Sequence, residues 1–220
     1  MTSNKSGADI TSVSIDYKKH WNTEYKKKST EKLGWFEKKS IQTLDLIDES
    51  RLGKAAKILN IGSGTSVLTD NLLELGFSNI ISSDISEVSL SILKNRIGAS
   101  DKVQFIVDDL LHASKLMLLE NIDLWVDRAV LHFFIEKDAI LTYFNLLKKI
   151  LSPTGFVIIA VFAKDGADKC CKLPVKKYDI TMLEKELGPS FKLIKTFNYV
   201  FINPYGGERP YIYALFQRKQ

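Results

Sequence analysis

Residues 57–64 read Lys-Ile-Leu-Asn-Ile-Gly-Ser-Gly, and Asp84 closes a second apolar run, Ile80-Ile81-Ser82-Ser83-Asp84. A helix-like stretch, 66–75, lies between them. An apolar strand that ends in a glycine loop, followed by a helix and a second strand ending in an acid, strongly limits the fold. It is the layout of an open parallel sheet in which backbone approaches a ligand at the glycines and the acid meets the hydroxyls of a ribose. Further strand-like runs stand at 103–107, 122–126 and 155–162, with amphipathic stretches at 86–96 and 136–151. Such alternation calls for parallel strands with right-handed crossovers and helices on both faces. The tail breaks the rhythm. Phe191 to Phe201 and Tyr211 to Gln217 are strand-like and flank Asn203-Pro204-Tyr205-Gly206-Gly207, a turn sequence, so an antiparallel hairpin is expected at the end of the sheet.

The 220 residues suit one domain, and an apolar share of 45% with 26% charged residues is that of an ordinary globule. The longest apolar run, 155–163, is far shorter than the roughly 20 residues of a spanning helix, and the first residues lack a signal-peptide shape. The chain is therefore expected to be cytoplasmic, with no membrane partner. The net charge of +5 comes from scattered lysines such as Lys26, Lys27, Lys28, Lys38 and Lys39, which read as a solvated surface and not as a nucleic-acid footprint. Cys170 and Cys171 are the only cysteines and are adjacent, which excludes a disulfide framework and a CxxC metal knuckle. Residues 1–13 are polar and expected to be disordered, and 14–220 form one domain. Within it, helices are expected over Tyr17–Lys28, which spaces Tyr17, Trp21 and Tyr25 four apart, and over Leu33–Ile47.

A dinucleotide loop would place a third glycine at position 67, where the chain has Val67. The shorter GxGxG form used for S-adenosylmethionine fits better, with Ser66 at its last glycine position. Val103-Gln104-Phe105-Ile106-Val107-Asp108-Asp109-Leu110 then places acids at the end of the third strand, where an adenine amino group can be met.

These pieces, together with Ile122-Asp123-Leu124-Trp125-Val126-Asp127 on the fourth strand, resemble the class I S-adenosylmethionine-dependent methyltransferases over roughly residues 15 to 218. The resemblance implies a Rossmann-like three-layer sandwich around a seven-stranded, mostly parallel sheet with an antiparallel C-terminal hairpin strand. It also implies S-adenosyl-L-methionine as cofactor. Gly62 and Gly64, with Ser63 between them, would cradle its methionine portion, Asp84 beside Ile85 its ribose, and Asp109 with the Leu110 backbone its adenine. Two positions depart from the family pattern. Asn60 replaces the usual acid before the loop, and Ser66 replaces the last glycine, where its hydroxyl can cap the next helix. Trp21, Tyr25, Trp35 and Phe36 resemble the N-terminal aromatics of the thiopurine and tellurite methyltransferases and of the elongation-factor lysine methyltransferases. Residues 14–50 would then be a helical cap over the cofactor.

The acceptor site implied by the resemblance lies after the fourth strand, at Asp127-Arg128-Ala129-Val130-Leu131-His132-Phe133-Phe134. Asp127 would stand near the cofactor's methionine end, Arg128 would orient an anionic substrate, and His132 could take a proton, unless it is a packed helix histidine. Phe133, Tyr178 and Tyr205 are further pocket candidates. The stretch 163–175 has the length and polarity of a loop across the site, and it brings Cys170 or Cys171 as a lining thiol or an inert one. No Pro-Cys nucleophile and no (Asp/Asn/Ser)-Pro-Pro-aromatic motif is present, and Asp127 and Asp165 lack a third ligand for magnesium. The expected activity is methyl transfer to a small-molecule acceptor, with a thiol or other soft nucleophile favoured. A protein-lysine methyltransferase and a non-catalytic partner module stay open, and nothing in the sequence bears on oligomeric state.

Overall fold

The computed structural model describes residues 15–219, so the N-terminal segment expected to be disordered lies outside the described residues. Seven strands form one sheet in the order β3-β2-β1-β4-β5-β9-β8. They are β1 (Ile58–Ile61), β2 (Ile80–Asp84), β3 (Val103–Val107), β4 (Ile122–Arg128), β5 (Leu151–Phe162), β8 (Phe191–Ile202) and β9 (Glu208–Arg218). The first five are mutually parallel, and β9 is antiparallel to both β5 and β8. The expected Rossmann-like sandwich with a reversed C-terminal strand is what the chain forms.

Alternation along the strands divides the core in two, as a pleated sheet covered on both faces requires. Leu59, Ile61, Trp125, Val157, Ile159, Ala214 and Phe216 enter one apolar layer with α5 (Lys137–Ile150) and α6 (Ile180–Leu187). Ile58, Leu124, Val126, Ile158, Ala160, Tyr213 and Leu215 enter the other, against α2 (Ile41–Glu49) and α3 (Leu68–Glu74). Helix α4 (Glu87–Ile97) connects β2 to β3, and Ser86 caps it by accepting from the Ser89 N–H at 3.2 Å. The strand order reverses between β1 and β4. Open α/β sheets leave a crevice at that switch, outside the carboxyl ends of the strands.

Two stretches differ from the sequence expectation. Leu33–Ile47 is not one helix: a short 3-10 turn, Thr30–Lys32, leads through irregular chain into α2, which begins at Ile41. Tertiary bonds take the backbone groups a helix would use. Arg128 donates to the Trp35 carbonyl at 3.0 Å, and the Ser40 N–H donates to the buried Asn71 side chain at 3.1 Å. The stretch 163–175 carries a small hairpin, β6 (Lys169–Cys170) with β7 (Leu173–Pro174). Helix α6 was not foreseen. Its cap Asp179 accepts from the Met182 N–H at 2.9 Å.

Helix α1 (Tyr17–Lys27) lies across the carboxyl ends of the strands and is tied to the start of α4. Ser86 donates to Asn22 at 2.7 Å, and Lys18 pairs with Glu87 at 3.3 Å. At the sheet's far end, Asn203 accepts from the N–H groups of Tyr205 and Gly207 at 2.8 and 3.0 Å and closes the β8–β9 turn.

Candidate active site

A cavity of about 860 Å³, counting its open mouth, sits at the switch point. The loops after β1 to β4 form its floor through Gly62, Ser83, Asp84, Ile85, Asp109, Leu110 and Val130. Tyr17, Trp21, Tyr25, Trp35, Phe133 and Phe134 supply an aromatic wall, and Arg128 and Cys170 complete the rim.

Gly62 and Gly64 both take φ of +52°, the left-handed region that glycine enters without steric cost. Each also has no room for a side chain. A Cβ on Gly62 would collide with the Val130 side chain, and one on Gly64 with the Tyr25 hydroxyl. The loop is therefore in close contact with the turn after β4 and with α1. Arg96 braces its far side, donating to the Thr65 carbonyl at 2.8 Å and the Ser66 carbonyl at 2.6 Å while it pairs with Asp70.

Asp84 is 6% exposed and accepts from the Gly64 N–H at 2.8 Å and the Ser86 N–H at 2.7 Å. Burial pushes its carboxyl up to about 6, against the two backbone donors that favour the charge. Asp109 is more open and accepts from the Leu111 N–H at 2.9 Å and from His112 at 3.0 Å. Its neighbour Asp108 also reaches the cavity, but its oxygens accept from the N–H groups of Ser114, Lys115 and Leu116. Burial raises the Asp108 carboxyl, and those donors outweigh it, so it lies below the usual range.

The aromatic wall is interlocked. Trp21 meets Trp35 edge-on at 5.7 Å and Phe133 at 5.0 Å between ring centroids, and Tyr25 meets Trp35 at 5.7 Å. Arg128 holds its base. The guanidinium pairs with Glu37 at 3.2 Å, donates to the Tyr213 hydroxyl at 3.2 Å and lies over the Phe201 ring at 5.0 Å. Burial opposes its charge, but Tyr213 and Glu37 more than compensate and keep it firmly protonated.

Several expected site residues lie behind the lining. Asp127 is fully buried and accepts from the N–H groups of Val130 and Leu131, both at 2.9 Å, and from the Tyr143 hydroxyl at 2.7 Å. Burial pushes it up to about 6. It shapes the turn that carries Val130 and Ala129, the latter at φ +71°. His132 is fully buried between Phe133 and Phe162, with centroids at 4.5 Å to each, and does not line the cavity. Burial, then the nearby Arg128 charge, lowers it to about 3, so it is neutral at ordinary pH. The placement expected for a proton acceptor therefore does not arise, because the 3-10 turn Leu131–Phe133 directs this side chain into the core. Asn60, Ser63, Gly64 and Ser66 are also outside the lining: Asn60 and Ser63 are buried, and the Ser66 hydroxyl accepts from the Leu68 N–H at 3.1 Å. Tyr178 is fully buried. Tyr205, expected in the pocket, is 64% exposed and donates to the Lys32 carbonyl on the surface. Ala129, Val130 and Phe134, in the stretch expected to border the acceptor, line the cavity, and Tyr17, Ser83 and Leu111 line it without having been named as site residues. The four-residue spacing from Tyr17 to Trp21 was the available signal for Tyr17.

These groups fit S-adenosylmethionine. Carboxylates at the ends of β2 and β3 suit hydroxyl and amino donors, a backbone loop of compressed glycines suits close approach, and aromatic faces suit a cationic sulfur. Among the described residues no cluster of three or more His, Cys, Asp or Glu could hold a metal, and no helix is long and apolar enough to cross a membrane.

Comparison with known proteins agrees. Residues 52–195 match the family model described as a methyltransferase domain. A malonyl-[acyl-carrier protein] O-methyltransferase of Ilyobacter polytropus is 30% identical over 109 residues, which are 49% of this chain and 40% of that protein. The match thus spans about two-fifths of that relative's length. The N-methyltransferase NodS of Bradyrhizobium japonicum, solved with S-adenosyl-L-homocysteine, superposes with a TM-score of 0.71 at 15% identity, covering 92% of this chain and 98% of that one. An S-adenosylmethionine-dependent methyltransferase from Anabaena variabilis gives 0.71 at 13%, covering 92% and 93%. With the family model covering well over half of the chain, the protein belongs to the family of S-adenosylmethionine-dependent methyltransferase domains.

Proposed function

We propose that the protein transfers a methyl group from S-adenosylmethionine to a small-molecule acceptor carrying a thiol or other soft nucleophile, in the manner of the thiopurine and tellurite branch. The observation that carries this reading is the make-up of the cavity: three carboxylates, six aromatic rings and no imidazole among its lining residues. S-adenosylmethionine, when bound, supplies a methyl group on a cationic sulfur. Asp84 and Asp109 hold the nucleoside end, and the backbone at Gly62 admits the methionine end. Trp21, Tyr25, Trp35 and Phe133 face the cation and exclude water, so that the acceptor is aligned for in-line displacement. Of the segment expected as a cap, α1 and Trp35 cover the cavity, whereas α2 packs against the sheet. Arg128 steadies Trp35 and borders the acceptor beside Cys170 and Phe133. A thiol with a pKa near 8.5 is partly ionised at neutral pH and needs no strong base. That suits a site in which His132, the expected proton acceptor, is buried and neutral.

The test is calorimetry with S-adenosylmethionine and S-adenosylhomocysteine, followed by incubation of labelled cofactor with lysate separated into proteins and small molecules. Binding with label in a small thiol compound is the expected result. Label confined to one protein band would establish a protein-lysine methyltransferase instead. Failure of a folded sample to bind either cofactor form would make the domain a non-catalytic module.

A further inference from the structure

Helix α1 carries two stripes of side chains, each with the four-residue spacing that keeps positions on one face. Tyr17, Trp21 and Tyr25 line the cavity. Lys18 and Asn22, one position on from the first two, run along the start of α4. The two contacts of this second stripe differ in weight. Lys18 and Glu87 are 51% and 58% exposed in their side chains, and ion pairs as open as this contribute little. Asn22 instead reaches the fully buried Ser86. Its side-chain oxygen accepts from the Ser86 hydroxyl at 2.7 Å and from the Val88 N–H at 3.4 Å. Val88 lies in the first turn of α4, whose N–H groups have no partner within the helix, so α1 supplies α4 with a second cap.

Ser86 is the joint. Its hydroxyl gives its one proton to Asn22 and accepts from the Ser89 N–H at 3.2 Å. Its backbone N–H donates to one oxygen of Asp84 at 2.7 Å, while the other Asp84 oxygen accepts from the Gly64 N–H at 2.8 Å. An unbroken series of polar contacts therefore runs from the glycine loop through Asp84 and Ser86 to the helix that covers the cavity. Asp84 lines that cavity, so a ligand bonded to it joins the same series, and linked hydrogen bonds strengthen one another.

We propose that Asn22 is a positioning residue that couples the covering helix to the cofactor: acting through Ser86, it latches α1 over the cavity when S-adenosylmethionine occupies Asp84, and so slows the cofactor's escape. This rests on cofactor binding alone and not on the choice of acceptor. Linkage makes the effect reciprocal, so the cofactor tightens the latch by the factor by which the latch tightens the cofactor. A latch that forms after entry acts on departure more than on arrival.

Amide hydrogen exchange and stopped-flow kinetics test the coupling. In the wild type, S-adenosylmethionine should slow exchange across Tyr17–Lys27 as well as at Gly64 and Ser86. In Asn22→Ala the slowing at Gly64 and Ser86 should remain, and that across α1 should fall. Stopped flow, read by the fluorescence of Trp21 and Trp35 on the cavity wall, should show the cofactor leaving Asn22→Ala about 5- to 10-fold faster, the scale of one half-buried hydrogen bond. Association should change by less than about 2-fold. Lys18→Ala, on the same stripe, should alter release by less than about 2-fold. Asn22→Ala combined with Ser86→Ala should release the cofactor no faster than the faster single variant, because both cut one bond. Wild-type protein in which the cofactor protects Gly64 and Ser86 but leaves α1 unchanged would overturn the proposal, and that readout needs no variant. Release from folded Asn22→Ala at the wild-type rate, or multiplied effects in the double variant, would overturn it as well.

Discussion

The cavity wall formed by β1, β2 and β3 carries carboxylates bonded to backbone N–H groups, whereas the opposite wall carries aromatic rings and an arginine already paired with Glu37. The first wall comes from one compact segment, and its geometry follows from strand ends. The second gathers Trp21, Trp35, Arg128, Phe133 and Cys170 from segments far apart in sequence. Backbone donors fix positions that side chains alone do not. On the function proposed above, the carboxylate wall would hold the cofactor and the aromatic wall would set acceptor preference.

The comparison breaks most visibly at Arg128 and Glu37, each 11% exposed in its side chain. Glu37→Ala leaves a buried guanidinium without its counter-charge and should cost about 3–5 kcal/mol of stability, measured by urea unfolding. Glu37→Leu combined with Arg128→Met should cost less than the single change. A larger loss in the double variant would show that the arginine holds the aromatic wall by packing and bonding to Trp35 instead.

Next comes the buried acid pair. Asp84 and Asp127 lie at about 6 against an ordinary 3.8, so the folded state holds protons there that the unfolded state has released. Each contributes stability that is present at acid pH and lost as pH rises through about 6, on the order of 3 kcal/mol. His132 has the opposite sign. Lowered from 6.5 to about 3, it contributes stability above pH 6.5 that is lost as pH falls towards 3. His132→Leu should therefore make melting temperature less sensitive to acid than in wild type. An unchanged acid profile would remove His132 from the buried, neutral state described.

The carboxylate wall can be tested alone. Asp84→Ala should weaken S-adenosylmethionine binding by about 10-fold or more, on the order of 1.5–3 kcal/mol for a charge-assisted contact, by calorimetry. In wild type, affinity should rise as pH passes upward through about 6, because the ionised Asp84 is the form that accepts ligand hydroxyls. Affinity flat from pH 5 to 8 would mean that Asp84 only orders the loop.

The smallest effect is expected outside both walls. Tyr205→Phe removes a surface hydrogen bond and should change stability by less than about 0.5 kcal/mol, with cofactor affinity unaltered.

How far each part was legible follows from the range of its interactions. Strand runs such as Ile80–Asp84 announce themselves because both faces of a parallel strand are apolar, and the Gly62–Asp84 interval is local. The helix expected over Leu33–Ile47 failed because Arg128 takes the Trp35 carbonyl and Asn71 takes the Ser40 N–H. No local pattern records either bond. Of the two readings open for His132, the packed one holds, because a 3-10 turn directs it into the core, and Tyr205 lies on the exposed β8–β9 turn, not in the pocket.

By itself, then, the sequence determined the alternating layers, the glycine loop and the acids at the ends of β2 and β3, since continuous apolar runs and turn residues act over a few positions. The tertiary structure alone decided which side chains meet across the cavity. Gly62 against Val130, Gly64 against Tyr25 and Arg128 beneath Trp35 are contacts between distant segments. Their formation depends on close packing around the strand-order reversal, where β1 and β4 bring separate parts of the chain to one edge.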